Sequence, residues 1–227
     1  WSALVHSDYR HTLEDQLPSP SAFNHAVVKA VIMGMTFWFD PTISQQRGSI
    51  GSTFFPPYGK ALVIGDSSTT LTDIKPSAIS ISRTEQREIF YIDNLDFSAR
   101  LEVQTTYSGM DADNARSMFA YASLSEMGKS YLNFYATDYK GIETTQPLRF
   151  TDDPVHNTFT VYERYRITQL ATDNKETLLA EFFPRTMLDK LQRPGTSIRT
   201  MPLGVSYPQN FTHIMEIHLP EEWPIKP

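Results

Sequence analysis

Two stretches of strict alternation constrain this chain more than any other feature. Phe97, Ala99, Leu101, Val103, Thr105 and Tyr107 alternate with Ser98, Arg100, Glu102, Gln104 and Thr106. Phe159, Val161, Tyr165 and Ile167 alternate with Thr160, Tyr162, Arg164 and Arg166, and Glu163 is the only charge on the apolar side. A period of two sends every second side chain to one face of a pleated strand, so both stretches predict strands with one buried and one wet face. Further strands are predicted at Glu88 to Ile92, Pro147 to Phe150, Leu178 to Phe182 and Phe211 to Leu219. Asp111 to Tyr139 reads differently, as one helix or two. Its helix formers run without Pro, Ser123-Leu124-Ser125-Glu126 has capping-box spacing, and Gly141 stands where a C-terminal cap would. Leu124, Met127, Tyr131, Phe134 and Tyr135 form a helical stripe that belongs to the core.

Composition narrows the classes of function. The 227 residues carry 20 Lys and Arg against 26 Asp and Glu, a net charge of -6, which argues against a broad phosphate-binding surface and hence against nucleic acid as a partner. Hydrophobic residues make up 40 %, enough for a folded core. The uncharged, mostly apolar stretch Ala30 to Phe39 is well short of the roughly 18 apolar residues of a membrane helix. Residue 1 is Trp and no signal segment is visible, so the chain is expected to begin mid-protein or after processing. There is no Cys, which removes disulfides, thiolate metal sites and any thiol nucleophile from these residues.

The chemistry-bearing segment runs from Phe23-Asn24-His25 to Phe37-Trp38-Phe39-Asp40-Pro41-Thr42. Its two β-branched and aromatic runs flank Met33-Gly34 and predict a hairpin. If that pair is a two-residue turn, Ile32 faces Met35, Val27 opposes Asp40 and His25 opposes Thr42, which places His25 and Asp40 diagonally on one face. Lys29, Thr36 and Trp38 share that face. Ala26, Val28, Ala30, Ile32, Phe37 and Phe39 make up the other, which is expected to pack on a core. Such a His-Asp pair suits general base work, the carboxylate setting the tautomer of the imidazole, and it suits a purely structural hydrogen bond as well.

Pro18-Ser19-Pro20, Phe23-Asn24-His25, Gly34 and Trp38-Phe39-Asp40-Pro41-Thr42 resemble the second half of a transglutaminase-like core, within the superfamily of papain-like cysteine proteases. The resemblance implies that His25 and Asp40 are the family's catalytic His and Asp. Ala3-Leu4-Val5 is similar to the strand after the Cys-bearing helix, which implies a nucleophile shortly upstream of Trp1. It further implies a thiolate acting on a protein or peptide carbonyl, with transfer to an amine or to water. Trp38, on the same face, is the candidate substrate-binding wall, or a plain packing aromatic. Asn24 points to the other face and is given no catalytic part. Phe182-Phe183-Pro184, Met201-Pro202-Leu203, Tyr207-Pro208 and Leu219 to Pro224 are similar to bacterial proteins that flank such a core with β-rich domains. Those relatives are commonly exported, so the resemblance implies the periplasm or cell surface.

Weaker motifs are read as structure. His6-Ser7-Asp8-Tyr9-Arg10-His11 matches no established metal spacing and reads as a loop. Asp111-Ala112-Asp113-Asn114 starts like a calcium loop but has Arg116 at the sixth position and Ala122 at the twelfth, so helix capping is expected. His213 and His218 fall on opposite faces of one strand. No cofactor or metal is expected. The organisation expected is an α+β, mainly β protein: residues 1–75 as part of an antiparallel core, the Ser-rich stretch Ser67 to Ser82 as the boundary, and residues 76–227 as a β-sandwich-like accessory domain with a helical insertion. Two functions follow. One is a fragment of a cysteine acyltransferase or peptidase, with His25 and Asp40 serving a thiol on an upstream segment. The other is a binding or structural module on the same scaffold.

Overall fold

The computed structural model describes every residue except 52, 67, 76–81, 94–97, 174–177, 192–194, 197, 205–208 and 223–227. Pro76, Phe97, Tyr207-Pro208 and Trp223-Pro224, used in the reading above, lie outside the described residues. The protein is α+β and mainly β, with two five-stranded sheets. The first contains β1 (Ser2–Val5), β2 (His25–Ile32), β3 (Met35–Phe39), β4 (Lys60–Val63) and β5 (Thr72–Asp73), ordered β3-β2-β1-β4-β5. All its neighbours are antiparallel, and it curls into a half-barrel. The hairpin between β2 and β3 turns through Met33 and Gly34 with φ of 50° and 78°, the double positive φ of a type I′ turn. Ile32 pairs with Met35, and the register continues to Val28 opposite Phe39, as the two-residue turn predicts.

The buried face of this hairpin is not the one expected. Ala26, Val28 and Ile32 are exposed, and Ala30, Phe37 and Phe39 are only half-buried. The small core lies on the His25 side, where Ala3, Val5, Val27, Tyr58, Ala61 and Ile74 cluster with Trp38, Phe55 and Val63 at their edge. The cause is the path of residues 54–58, which fold back so that Phe55 meets Trp38 and Tyr58 meets His25. The uniformly apolar side is left open.

The chain continues through β6 (Arg83–Asp93), β7 (Ser98–Ser108), α1 (Met110–Tyr121), α2 (Leu124–Ala136), β8 (Ile142–Asp153) and β9 (Thr158–Ile167). A two-stranded ribbon, β10 (Ala171–Asp173) and β11 (Leu178–Ala180), then leads to α3 (Arg185–Lys190) and β12 (Phe211–His218). The second sheet is ordered β12-β6-β7-β9-β8, antiparallel except that β12 runs parallel to β6. Alternation places Phe90, Leu101, Val103, Phe159, Val161 and Ile167 inward, all 2 % exposed or less.

A sandwich-like partner sheet was the expectation here, and helices take its place. Ala112, Ala115 and Phe119 of α1 and Met127 and Tyr135 of α2 supply the opposing surface, the apolar stripe of each helix facing the sheet. Two capping expectations are also corrected. Ser123 occupies the N-cap of α2 without a side-chain cap bond, and Gly141, at φ 67°, leads into β8 rather than closing α2. Gly109 precedes α1, so Asp111 lies inside the first turn and accepts the Thr84 hydroxyl at 2.7 Å. The loop after β3 is tied to the second sheet by buried Arg116, which donates to the Gln45 carbonyl at 3.1 Å and pairs with Asp113 and Asp152. No described helix is long and apolar enough to cross a membrane.

Candidate active site

His25 opens β2 opposite Val5, and Asp40 directly follows β3. The β2–β3 ladder ends at Val28 and Phe39, so the expected Val27–Asp40 and His25–Thr42 strand pairs do not form. Pro41 has no N–H to continue the ladder. An Asx turn replaces it, with Asp40 Oδ1 accepting the Thr42 amide at 3.1 Å and the Thr42 hydroxyl at 2.6 Å. Oδ2 is thereby aimed across the sheet, where it meets His25 Nε2 at 2.8 Å and accepts the Tyr58 hydroxyl at 2.7 Å. His25 and Asp40 share one face, as parity requires.

The electrostatics follow from this geometry. Asp40 is 2 % exposed. Burial pushes its carboxyl up, but the hydrogen bonds from Thr42, Tyr58 and His25 together outweigh burial and hold it below the ordinary aspartate value. The site therefore contains a fixed negative charge at neutral pH. Tyr58 is pushed up, first by burial and then by its bond to Asp40, and so remains a donor. With Nε2 engaged, Nδ1 of His25 makes no hydrogen bond among the described residues, and the side chain is 24 % exposed. The ring lies against Tyr58, at a centroid distance of 5.5 Å.

Trp38 lies on the His25 face, and its ring contacts run through Phe55 to Tyr58 rather than to the imidazole directly. It packs on Phe55 at 6.1 Å, Phe55 packs on Tyr58 at 5.4 Å, and the Lys29 ammonium sits 5.8 Å over the Trp38 ring. Asn24, on the opposite side, exchanges hydrogen bonds with Ser7 at 2.9 and 3.0 Å and anchors the turn after β1. Tyr58 is the site residue the sequence did not reveal. Its one local sign is the run Pro56-Pro57-Tyr58-Gly59, whose glycine has φ 73° and lies so near the backbone of His11 that an added Cβ would come within 2.7 Å of that nitrogen. Only glycine lets the loop pass there and deliver Tyr58.

The other candidate segments serve local structure. His6 Nδ1 accepts the amides of Asp8 and Tyr9, and its ring stacks on Tyr9. His213 faces Glu88, whereas His218 pairs with Glu216 on the other side of β12. Among the described residues no group of three or more His, Asp or Glu gathers to hold a metal. In comparisons with known proteins, the chain matches no family model, no curated protein and no solved structure.

Proposed function

We propose that residues 1–75 are the second half of a transglutaminase-like core, with residues 76–227 as its accessory domain. His25 and Asp40 would then be the base and the orienting carboxylate of a Cys-His-Asp triad, with the thiol lying outside these 227 residues. One observation carries this reading: a buried, ionised Asp40, held by Thr42 and Tyr58, takes Nε2 of a partly exposed His25 and leaves Nδ1 without a hydrogen bond among the described residues. That is the arrangement a base needs, with tautomer and ring plane set from behind and the working nitrogen open.

In the proposed reaction a cysteine thiol gives its proton to His25 Nδ1 and its sulfur attacks the carbonyl carbon of a peptide or carboxamide. Asp40 compensates the imidazolium that results. His25 returns the proton to the departing amine as the C–N bond breaks. An incoming amine or water then attacks the thioester, its proton passing through His25 and the thiol leaving. Trp38, carried on the same face and braced by Phe55, walls the approach.

The absence of Cys favours a second reading, in which the scaffold binds a protein partner without chemistry. The native polypeptide, isolated from its source, separates the two. The acyl-transfer reading expects a thiol alkylated by iodoacetamide, and peptide hydrolysis or amine incorporation that falls by about 10²- to 10⁴-fold in both His25→Ala and Asp40→Asn with circular dichroism unchanged. A native polypeptide without Cys, or turnover that survives both substitutions, overturns it and leaves the binding module.

A further inference from the structure

The face of the second sheet beneath α2 is interrupted by a polar belt. Glu88 of β6, Val103 of β7 and Glu163 of β9 stand in one row across three strands. Both carboxyl groups are buried, at 2 % and 4 % exposed. Tyr135 donates to Glu88 Oε1 at 2.7 Å, and Tyr165 donates to Glu163 Oε2 at 2.6 Å. Gln86 reaches Glu88 at 3.2 Å, and β12 brings His213 Nε2 to 3.1 Å from Glu88 Oε2.

Above this belt lies a cavity of about 340 Å³, walled by Tyr107, Tyr131, Phe134 and Tyr135, with Glu163 in its lining. Its volume is in the range of small-molecule sites, about 300–1,000 Å³. Lys190 of α3 and Phe211 of β12 also border it. The Lys190 side chain is exposed, with its ammonium 4.9 Å over the Phe211 ring, which places it at the rim.

Apart from Lys190 at the rim, the described lining of the cavity holds no Lys or Arg. His213 stands against Glu88, but no Lys or Arg pairs with either carboxyl group among the described residues. Burial, and the nearby Glu88, push Glu163 up to about 8, against the Tyr165 hydrogen bond that favours its ionised form. In the free protein a proton on Glu163 offsets this shortfall of positive charge. A permanent cation would meet it better, because aromatic faces attract a desolvated cation in addition to the carboxylate.

We propose that this cavity is a binding site for a small organic ammonium ion, held by the Glu163 carboxylate and by the faces of Tyr107, Tyr131, Phe134 and Tyr135. Binding exchanges one charge for another: the ammonium enters, Glu163 loses its proton to solvent, and the ion pair replaces the O–H bond. One proton is released per ligand bound, and affinity rises with pH until Glu163 is already ionised in the free protein. The groups facing this exchange are Glu88 and Tyr135 beside it, His213 from β12, Tyr165 on its own strand, Tyr107 and Tyr131 across the cavity and Lys190 at the rim. The four tyrosines are all pushed up by burial, so they stay protonated through this pH range. None of these groups belongs to the first sheet, so the inference stands apart from the acyl-transfer reading.

The test is calorimetric titration of the full chain with choline, whose charge does not titrate, and with 3,3-dimethylbutan-1-ol, which has the same shape with carbon in place of nitrogen. Choline is expected to bind at least tenfold more tightly than the alcohol, with affinity rising by up to about tenfold per pH unit toward pH 8. Glu163→Gln copies the protonated side chain and so keeps the fold. It should weaken choline at least tenfold and abolish the pH dependence, which separates Glu163 from Glu88 and His213. Three outcomes overturn the proposal: no binding of choline or n-butylammonium by folded protein at tens of millimolar, equal binding of choline and the alcohol, or choline binding that Glu163→Gln leaves intact.

Discussion

At the scale of single residues, Asp40 is tightly held at the end of β3. Two oxygens receive four hydrogen bonds, two from Thr42 and one each from Tyr58 and His25. Tyr58→Phe removes one donor and leaves a buried acceptor short, which should cost about 1–3 kcal/mol in urea unfolding near neutral pH. The pH dependence has a definite sign. Asp40 is held below its ordinary value of 3.8, so its contribution is complete above that pH and is lost as pH falls through the lower folded value. The gap between wild type and Tyr58→Phe should therefore narrow below pH 3.8. A gap that stays constant to lower pH would mean that Tyr58 acts through packing alone. His25 and Asp40 were legible in the sequence because parity on a hairpin decides which side chains share a face. Tyr58 was not, because its approach depends on how residues 54–59 thread past His11, a tertiary fact with no local period.

At the scale of elements, strands that alternate strictly were readable and strands with a polar inner face were not. β7 and β9 match their predicted spans closely, whereas β6 runs from Arg83 rather than Glu88. Its inward residues there are Thr84 and Gln86, which belong to the cavity lining, so the polar belt hid half the strand. The parallel pairing of β12 with β6 also left no trace, since register between distant strands is not written in either one alone. The hairpin turn offers a direct check on the local physics. Met33 is 95 % exposed at φ 50°, a conformation that Asn accepts more readily than an unbranched apolar side chain. Met33→Asn should raise stability by about 0.5–1 kcal/mol in denaturant unfolding without altering the rest of the fold. A loss of stability would show that Met33 makes a contact worth more than its backbone strain.

At the scale of the whole molecule, the two sheets solve burial differently. The second closes its inner face with α1 and α2, while the first leaves its apolar side uncovered, with Val28 37 %, Ile32 40 % and Met35 58 % exposed. Contiguous apolar surface of this kind favours association. The chain by itself should sediment as oligomers at micromolar to millimolar concentration. Val28→Lys combined with Ile32→Lys should shift it toward monomer with a nearly unchanged melting temperature, because neither residue is part of the small core. Association that survives both charges would locate the sticky surface elsewhere.

The parallel seam between β12 and β6 also sets an order of assembly. Arg87 and Glu216 lie 129 positions apart in the chain and 3.4 Å apart in the fold. During synthesis β6, β7 and both helices emerge well before the strand that completes their sheet, so the edge of β6 waits unpaired for most of the time the ribosome spends on this stretch. Contacts between such distant partners carry the largest loop-closure penalty and form late. His213 arrives on that strand, so the imidazole beside Glu88 is the last part of the polar belt to be put in place. The nascent chain thus passes through a stage in which a carboxyl-lined sheet edge stands unpaired, and the final strand both seals the sheet and completes the belt.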